Sequence, residues 1–334
     1  MLSKPLGRIV VGLVVVIIVM VGWFALQVDP IFHGKGKSVI VTVNPGESLS
    51  TIATAMHAKG VIASTLAFQI DTALFGSFQV QPGSYEIAQG SSFSHVRSIF
   101  SVQPNVTTVN VTAGLTLHEV AVDVSNGKGN SYADRFAALA TASNTPSPYH
   151  RSGSLEGLIG TGLYIIKPGE SPAQLATRME KRFVKQAASV ALTPTTNLYG
   201  LNAYQLVIAA SIVEKEGYYP VNMPRVARVI YNRLARGGPL QMDATVLYYL
   251  GKDGGTVTPA MLQTQEPYNT YLNTGLTPTP ICTVSTIALR ATLHPPVGTW
   301  LYFTLVNQDG TMAFSTTFAQ QLKEEKLAQS RGIG

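Results

Sequence analysis

The feature that most constrains this chain is a long uncharged run near its N-terminus. Residues 9–26 read IVVGLVVVIIVMVGWFAL, without a single charged side chain. In a helix that rises about 1.5 Å per residue, this run spans about 27 Å, close to the hydrocarbon core of a bilayer, which is roughly 30 Å thick. The run therefore predicts a single transmembrane helix, and the functional part of the chain must follow it.

A cleaved secretory signal peptide is the competing interpretation, because Lys4 and Arg8 precede the run. However, the apolar segment of a signal peptide has only about 7–15 residues, and no small-x-small cleavage site follows this run. The two basic residues favour a cytoplasmic N-terminus. We therefore expect a single-pass protein of the cell (inner) membrane, with a cytoplasmic tail (1–8), an uncleaved anchor (9–26), a linker (27–37) and an extracytoplasmic remainder.

Composition and motif content exclude several classes of protein. With 46% hydrophobic and 13% charged residues the chain is not disordered, and its net charge of +6 is not gathered in one cluster, so we expect no nucleic-acid partner. The single cysteine, Cys282, excludes an intramolecular disulfide framework and a multi-cysteine zinc site. The sequence contains no GxSxG elbow, phosphate-binding loop or HExxH helix, so neither a cofactor nor a metal is expected.

A short pattern recurs four times after the linker: an apolar or alternating strand, a glycine turn, and a Ser or Thr that opens a helical stripe. The four turns lie at Gly46, Gly90, Gly114 and Gly169. The hydroxyl residue two positions after each glycine is suited to cap the N–H groups of the helix that follows. β-turn-α units in general share this pattern, so a single copy identifies no family, but the series predicts an α+β chain.

The first copy, Pro45-Gly-Glu-Ser-Leu-Ser-Thr-Ile-Ala53, resembles the start of a LysM module. LysM modules are small βααβ folds that bind the N-acetylglucosamine-containing glycans of peptidoglycan and chitin. The continuation to Tyr85 has the expected order of helix, second helix, turn and strand. We therefore interpret residues 38–100 as a LysM-like βααβ module and residues 101–334 as a separate, mixed α/β domain.

Beyond residue 202 the sequence becomes predominantly helical. Apolar periodicity predicts helices at 203–216, 224–236, 244–250, 286–293 and 320–329, and a strand–turn–strand at 300–306 and 311–315. Residues 251–285 are rich in Gly, Pro, Thr and Asn, and we expect them to lie outside the core.

The helix AYQLVIAASIVEKEG is the most informative segment. At about 100° per residue, Ile212 and Val213 fall within about 60° of Glu216, whereas Glu214 projects about 160° away. Desolvation on the apolar side raises the pKa of a carboxyl group towards the value that a general acid needs near neutral pH. The alternative is that Glu216 is only the last residue before a helix end at Gly217, and periodicity alone leaves both open. No second carboxylate lies at a spacing that demands a glycosidase pair.

The end of this helix, Ala210-Ser-Ile-Val-Glu-Lys-Glu-Gly217, resembles the signature helix of the MltG/YceG-like endolytic murein transglycosylases. Further stretches resemble that family's motifs in the same order: Arg228-Val-Ile-Tyr-Asn-Arg-Leu234, Leu240-Gln-Met-Asp-Ala-Thr-Val246, Pro267-Tyr-Asn-Thr-Tyr271, Gly275-Leu-Thr-Pro-Thr-Pro-Ile281, His294-Pro, Tyr302-Phe303 and Phe314-Ser. Two departures stand out. Met242 and Ala244 replace a polar residue and a proline, and the 155–164 segment lacks an aromatic-Pro-Asp-Thr run, which weakens any substrate role for that segment.

The resemblance implies a membrane-anchored lytic transglycosylase with its catalytic domain in residues 101–334 and its signature region in 203–318. Such an enzyme cleaves nascent peptidoglycan strands internally between N-acetylmuramic acid and N-acetylglucosamine, leaves 1,6-anhydro ends, and so limits strand elongation. It implies that Glu216 is the catalytic acid/base and serves both steps. The implied partners are peptidoglycan glycan strands and the cytoplasmic membrane, with peptidoglycan synthases as further candidates.

The other candidate site residues are expected to bind the glycan or to support the site: Glu214, Asn232, Gln241, Asp243, Tyr268, Asn269, Thr270 and Tyr271. Amide and carboxylate groups suit sugar hydroxyls and N-acetyl groups, and the two tyrosines on their loop offer a stacking face. The alternative for each tyrosine is a structural role, in which its ring fills the core beneath its own turn. Asn232 is equally suited to support the site and to contact substrate.

Two other functions remain compatible with the sequence. One is a non-catalytic, LysM-type peptidoglycan-binding scaffold that recruits cell-wall synthases. The other is a muramidase that uses the same acid but lets water attack, which gives reducing ends instead of anhydro ends.

Overall fold

The structure is a computed structural model that describes residues 4–29, 36–102, 104, 106–142, 147–150, 153–166, 169–217 and 219–333. The chain divides into two units, each a mixture of helix and strand. Unit 1 comprises residues 1–108 with 165–168, and unit 2 comprises residues 109–164 and 169–334.

Unit 1 begins with a long apolar helix, α1 (Lys4–Val28). Its segment Val10–Val28 is long and apolar enough to cross a membrane, and none of that segment is buried within the protein. The helix contains the predicted span 9–26 and continues past it at both ends, into the expected tail and linker. Residues 1–3 of that tail and 30–35 of that linker lie outside the described residues.

The remainder of unit 1 has the order β-α-α-β-α. Its elements are β1 (Ser38–Val43), α2 (Leu49–Ala58), α3 (Thr65–Phe75), β2 (Gly83–Ala88) and α4 (Phe93–Phe100). The strands β1 and β2 pair antiparallel, with Val41 opposite Tyr85. Ser48 and Ser92, two of the hydroxyl residues in the recurring pattern, accept hydrogen bonds from the first turns of α2 and α4, as the sequence predicts.

Aromatic side chains from α3, β2 and α4 form the core of unit 1. The Phe68 ring meets the Phe93 ring edge-on at 5.2 Å, and Tyr85 meets Phe100 at 4.7 Å. Phe24 and Val28 of α1 also pack against this core, and α1 contacts α3. The end of the apolar helix is therefore part of the packing of unit 1.

Unit 2 is mostly helical. In chain order its elements are β3 (Thr107–Val111), α5 (Leu117–Lys128), α6 (Asn130–Thr141), β4 (Gly162–Ile166), α7 (Pro172–Ala188), β5 (Asn197–Leu198), β6 (Leu201–Asn202), α8 (Ala203–Glu216), α9 (Met223–Ala235), α10 (Asp243–Tyr249), α11 (Pro259–Leu262), α12 (Thr286–Leu293), β7 (Tyr302–Leu305), β8 (Met312–Ser315) and α13 (Phe318–Ser330). Two of these strands, β3 and β4, include residues on both sides of the division between the units. The strands pair as β3–β4, β5–β6 and β7–β8. The helices and strand pair predicted beyond residue 202 are confirmed, within a few residues at their ends.

The signature helix α8 lies at the centre of unit 2, in contact with α9, α10 and α12. Its residues Leu206–Val213 are buried on all sides, so the apolar surface is wider than the single arc that periodicity predicts. In the last turn, the side chains of Glu214 and Glu216 reach different neighbours. The helical wheel is therefore informative for Glu214 and Glu216, and for little before them.

The prediction that residues 251–285 lie outside the core is wrong for the second part of that segment. Ile281 and the lone Cys282 are fully buried, and so are the polar side chains of Asn269 and Thr270. Polar residues can lie inside a core when their hydrogen bonds are satisfied there. In this segment the partners come mainly from the segment's own backbone and from α10.

Candidate active site

A cavity of about 640 Å³ opens in unit 2 where α5, α8 and α10 meet. Its lining includes five carboxylate residues, Glu119, Glu156, Glu216, Asp243 and Asp253, together with Lys215 and Tyr248. A volume of several hundred Å³ with a few convergent polar groups is typical of a small-molecule or sugar site.

Glu216 is the last residue of α8 and lies half-buried in the cavity wall. Its Oε1 accepts a hydrogen bond of 3.0 Å from the N–H of Ala244, in the first turn of α10. Burial, with a smaller contribution from the charge of Asp243, raises the pKa of Glu216 to about 7, while the Ala244 bond and Arg233 oppose the shift. The carboxyl group is therefore poised to gain or lose a proton near neutral pH.

Asp243 stands beside Glu216 and is held by a residue of the 267–271 loop. The Tyr271 hydroxyl donates to Asp243 Oδ1 at 2.5 Å. Burial and this carboxylate raise the pKa of Tyr271, so the phenol stays neutral and remains a donor. Asp243 itself is exposed and lines the cavity, so Tyr271 acts on the site through it.

The three consecutive charged residues of the Glu-Lys-Glu motif point to three different elements. Glu214 Oε2 accepts from the N–H of Ser285, which caps α12, at 2.8 Å. Lys215 Nζ donates to Asp253, in the loop after α10, at 2.5 Å. Glu216 faces α10 and the cavity. The structure therefore separates the two glutamates in the direction that helical periodicity predicts.

Asn269 and Thr270 are buried and shape the loop that carries Tyr271. The Asn269 side chain donates to the carbonyls of Leu262 and Thr264 at 3.0 and 2.8 Å, and its oxygen accepts from the Tyr271 N–H. Thr270 Oγ1 accepts from the backbone just before α10. Both side chains use their hydrogen bonds within the protein, so a supporting role fits them better than contact with substrate.

The remaining candidates also lie outside the cavity lining. Asn232 donates to the carbonyls of Gly298 and Trp300, which is a bracing contact. Tyr268 packs its ring on that of Tyr248 with centroids 4.9 Å apart. Gln241 is exposed and has a left-handed φ of 51°. Of the predicted site residues, Glu216 and Asp243 line the cavity, and Tyr271 reaches it through a hydrogen bond.

Glu156 is a cavity residue that the sequence did not single out. It is almost fully buried, and its carboxylate accepts from the Leu117 N–H at 3.0 Å and from the Tyr248 hydroxyl at 3.0 Å. Burial raises its pKa to about 7 despite these bonds. Spacing along the chain indicates no partner carboxylate for Glu216, because Glu156 lies in a loop that is distant in the sequence. The available signal was a lone glutamate among the apolar residues Leu155, Leu158 and Ile159.

Gly217, directly after Glu216, has no room for a side chain. A Cβ at this position would lie 2.5 Å from Met223 Cγ and 2.7 Å from the Val213 carbonyl oxygen. We expect Gly217→Ala to lower the free energy of unfolding by about 1–3 kcal/mol, measured by urea denaturation, because the surrounding core must shift. Gly238→Ala, where no atom lies within 4 Å of the new Cβ, is the control; equal losses in both would contradict close packing.

Within the residues that the structure describes, no three His, Cys, Asp or Glu side chains come together in a way that could hold a metal ion. The groups available around the cavity are carboxyl, ammonium, imidazole, phenol, hydroxyl and backbone N–H groups.

A sequence model of the YceG-like family matches residues 41–326, which covers most of both units. The chain belongs to this family. Among its YceG-like relatives, the endolytic murein transglycosylase of Bacillus subtilis (strain 168) is 29% identical over 325 residues, covering 91% of this chain and 88% of the relative. The endolytic murein transglycosylase of Streptococcus pneumoniae serotype 2 is 25% identical over 318 residues, covering 86% of this chain but only 57% of the longer pneumococcal protein.

The fold is also shared with a solved YceG-like protein. A crystal structure of a YceG-like protein from Listeria monocytogenes matches this chain with a TM-score of 0.58 and 25% sequence identity. The match covers 86% of this chain and 99% of that one. The family resemblance that the sequence motifs indicate is therefore confirmed by sequence and by fold.

Proposed function

We propose that this protein is a membrane-anchored endolytic lytic transglycosylase of peptidoglycan. It cleaves nascent glycan strands between N-acetylmuramic acid and N-acetylglucosamine and leaves 1,6-anhydro-N-acetylmuramic acid ends, which limits strand elongation. The observation that carries the proposal is Glu216, a cavity-lining carboxyl group whose pKa is raised to about 7 at the end of the family's signature helix. The names of the Bacillus and Streptococcus relatives support the same reaction.

One carboxyl group accounts for both chemical steps. Protonated Glu216 donates its proton to the glycosidic oxygen as the bond from that oxygen to C1 of the muramic acid breaks. The resulting carboxylate then accepts the proton of the C6 hydroxyl of the same sugar, whose oxygen attacks C1. The enzyme regains its starting protonation state and no water is consumed. A pKa near the working pH suits a group that must act first as an acid and then as a base.

The domain arrangement belongs to the same proposal. Residues 9–26 anchor the protein in the cytoplasmic membrane, with residues 1–8 in the cytoplasm, 27–37 as linker and the catalytic domain 101–334 outside. Residues 38–100 form a LysM-like module that binds glycan, supported by the β1-α2-α3-β2 order and the antiparallel β1–β2 pairing. The partners are glycan strands, the membrane and peptidoglycan synthases.

Mass spectrometry of digested glycan tests the proposal against its alternatives. Purified full-length protein in detergent is incubated with uncrosslinked glycan strands, and the new chain ends are identified. We expect 1,6-anhydro ends, which are lighter than reducing ends by one water. Reducing ends would identify a hydrolytic muramidase, and intact strands would identify a glycan-binding scaffold; either result overturns the proposal.

The pH profile tests the role of Asp243 beside the acid. Its negative charge disfavours ionisation of Glu216 and so raises the pKa of that group. We expect kcat/KM of the native protein to fall as the pH rises through about 7, where Glu216 loses its proton. In Asp243→Asn the pKa of Glu216 is lower, so this alkaline limb moves to lower pH. A limb that stays in place would show that another group controls it.

A further inference from the structure

Helix α3 of unit 1 has an apolar face that the protein leaves uncovered. Leu66, Ile70 and Leu74 recur every four residues and therefore lie along one side of the helix. Their exposed fractions are 58%, 36% and 67%. We call these three residues the α3 face.

The α3 face is separate from the side of the helix that builds the core. Ala67, Phe68 and Asp71 are the buried residues of α3. A helix that carries large apolar side chains on a second side, beyond the one that faces the core, needs an apolar environment on that second side as well.

The position of α1 indicates what that environment is. The membrane-crossing segment ends at Val28, and both Val28 and Phe24 pack against the core of unit 1. Phe24 lies four residues before the end of the segment, which is about 6 Å along a helix. Unit 1 must therefore reach down to the level of the bilayer surface to make this contact, and α3 is a helix of the unit that contacts α1.

We infer that the α3 face lies in the interfacial layer of the bilayer beside α1, with its three side chains among the glycerol groups and upper acyl carbons. This inference rests on the proposed anchoring of the protein by α1. Helices that lie in this layer insert large apolar side chains to a depth of about 5–10 Å.

The chemistry of α3 indicates contact with acyl chains instead of charged headgroups. The helix TLAFQIDTALF contains no Lys or Arg, and its one acidic residue, Asp71, is paired with Arg97 at 2.6 Å. The contact is therefore expected in uncharged phosphatidylcholine bilayers and needs no anionic lipid.

A fluorescent label read against quenching lipids tests this placement in the full-length protein. The only native cysteine, Cys282, is buried, so single cysteines introduced at exposed positions are labelled selectively, with the native protein as the blank. Ile70→Cys and Leu74→Cys report on the α3 face. Gln69→Cys, exposed on the same helix about 100° from Ile70, is the matched control. Val16→Cys in α1 reports on anchoring itself.

Each labelled protein is reconstituted in phosphatidylcholine vesicles that contain lipids with a nitroxide near the glycerol. We expect quenching at Ile70 and Leu74 to exceed that at Gln69 by about threefold or more. If Val16 is protected from aqueous quenchers but the α3 labels match Gln69, the inference is wrong and the anchoring stands. If Val16 is also open to aqueous quenchers, the anchoring itself fails. A third outcome is that the α3 labels are shielded from water but are not quenched by the lipid nitroxide, and that this shielding is lost when the protein is diluted. That outcome would show that a second copy of the protein covers the α3 face, and it would overturn the inference.

Discussion

Replacing Glu216 by glutamine is expected to lower the turnover of glycan strands by about 10³-fold, in the range that loss of a general acid produces. Glutamine has the same shape, and its oxygen can still accept the Ala244 N–H, so the packing of α8 against α10 is kept. The change removes only the transferable proton. The measurement is the initial rate at which 1,6-anhydro ends form from uncrosslinked strands.

Glu214→Gln is the matched control for this prediction. Glu214 belongs to the same helix and the same motif, but it accepts a hydrogen bond from the cap residue of α12, Ser285, outside the cavity. We expect the Glu214→Gln protein to keep its turnover within about threefold, with a loss of stability of about 1 kcal/mol from the weakened bond to α12. Similar losses of turnover in both variants would contradict the assignment of the acid.

Stability measurements separate loss of chemistry from loss of fold in the Glu216→Gln protein. Burial raises the pKa of Glu216 from 4.5 to about 7, so the folded protein keeps a proton that the unfolded chain releases between these values. The contribution of this group to stability is complete below about pH 4.5 and is lost as the pH rises through about 7. The glutamine protein should therefore be more stable than the native protein at pH 8, by up to about 3 kcal/mol, and equally stable at pH 4.

Replacing Glu156 by glutamine is expected to lower kcat by about 10- to 100-fold with a smaller change in KM, the size of effect that follows when a reacting group is misplaced by about 1 Å. Glu156 joins the start of α5, at Leu117, to Tyr248 on α10. The same α10 supplies the N–H that holds Glu216. A glutamine at position 156 can accept only one of the two hydrogen bonds, from Leu117 or from Tyr248, in the same arrangement. As a result α10 is held less firmly in position.

A double-mutant cycle with Tyr248→Phe identifies this route. If Glu156 acts through the Tyr248 hydroxyl, the double variant should lose no more activity than the more damaging single variant. Losses that multiply would indicate that the two residues act independently. A rise in KM alone, with kcat unchanged, would instead indicate that Glu156 contacts the substrate.

The sequence predicts much of the fold because its local patterns agree with the tertiary structure. The Ser/Thr caps after the glycine turns and the helices beyond residue 202 follow from local preferences that packing does not override. The separation of Glu216 from Glu214 also follows from spacing, because residues two positions apart in the last turn of α8 reach different neighbours.

The remaining features depend on long-range contacts that spacing does not encode. Glu156 lies near the end of α8 only because the intervening elements fold back. The apolar residues around it in the sequence indicate burial, but they do not indicate that it lines the same cavity as Glu216. Asn269 and Thr270 appear suited to a surface loop by composition, yet their amide and hydroxyl groups find backbone partners and become buried. Periodicity does not reveal the α3 face, because a helix with apolar residues on more than one side lacks a clear alternation of apolar and polar residues.

The packing of Phe24 and Val28 against the core of unit 1 has a consequence for the order in which the protein is built. The ribosome completes α1 before β1, so these two side chains are already present when the residues up to Phe100 emerge. Unit 1 can then close its core while unit 2 is still being synthesised, since domains generally fold as units during synthesis. A chain that loses α1 would lack part of that core from the start, so α1 also takes part in folding.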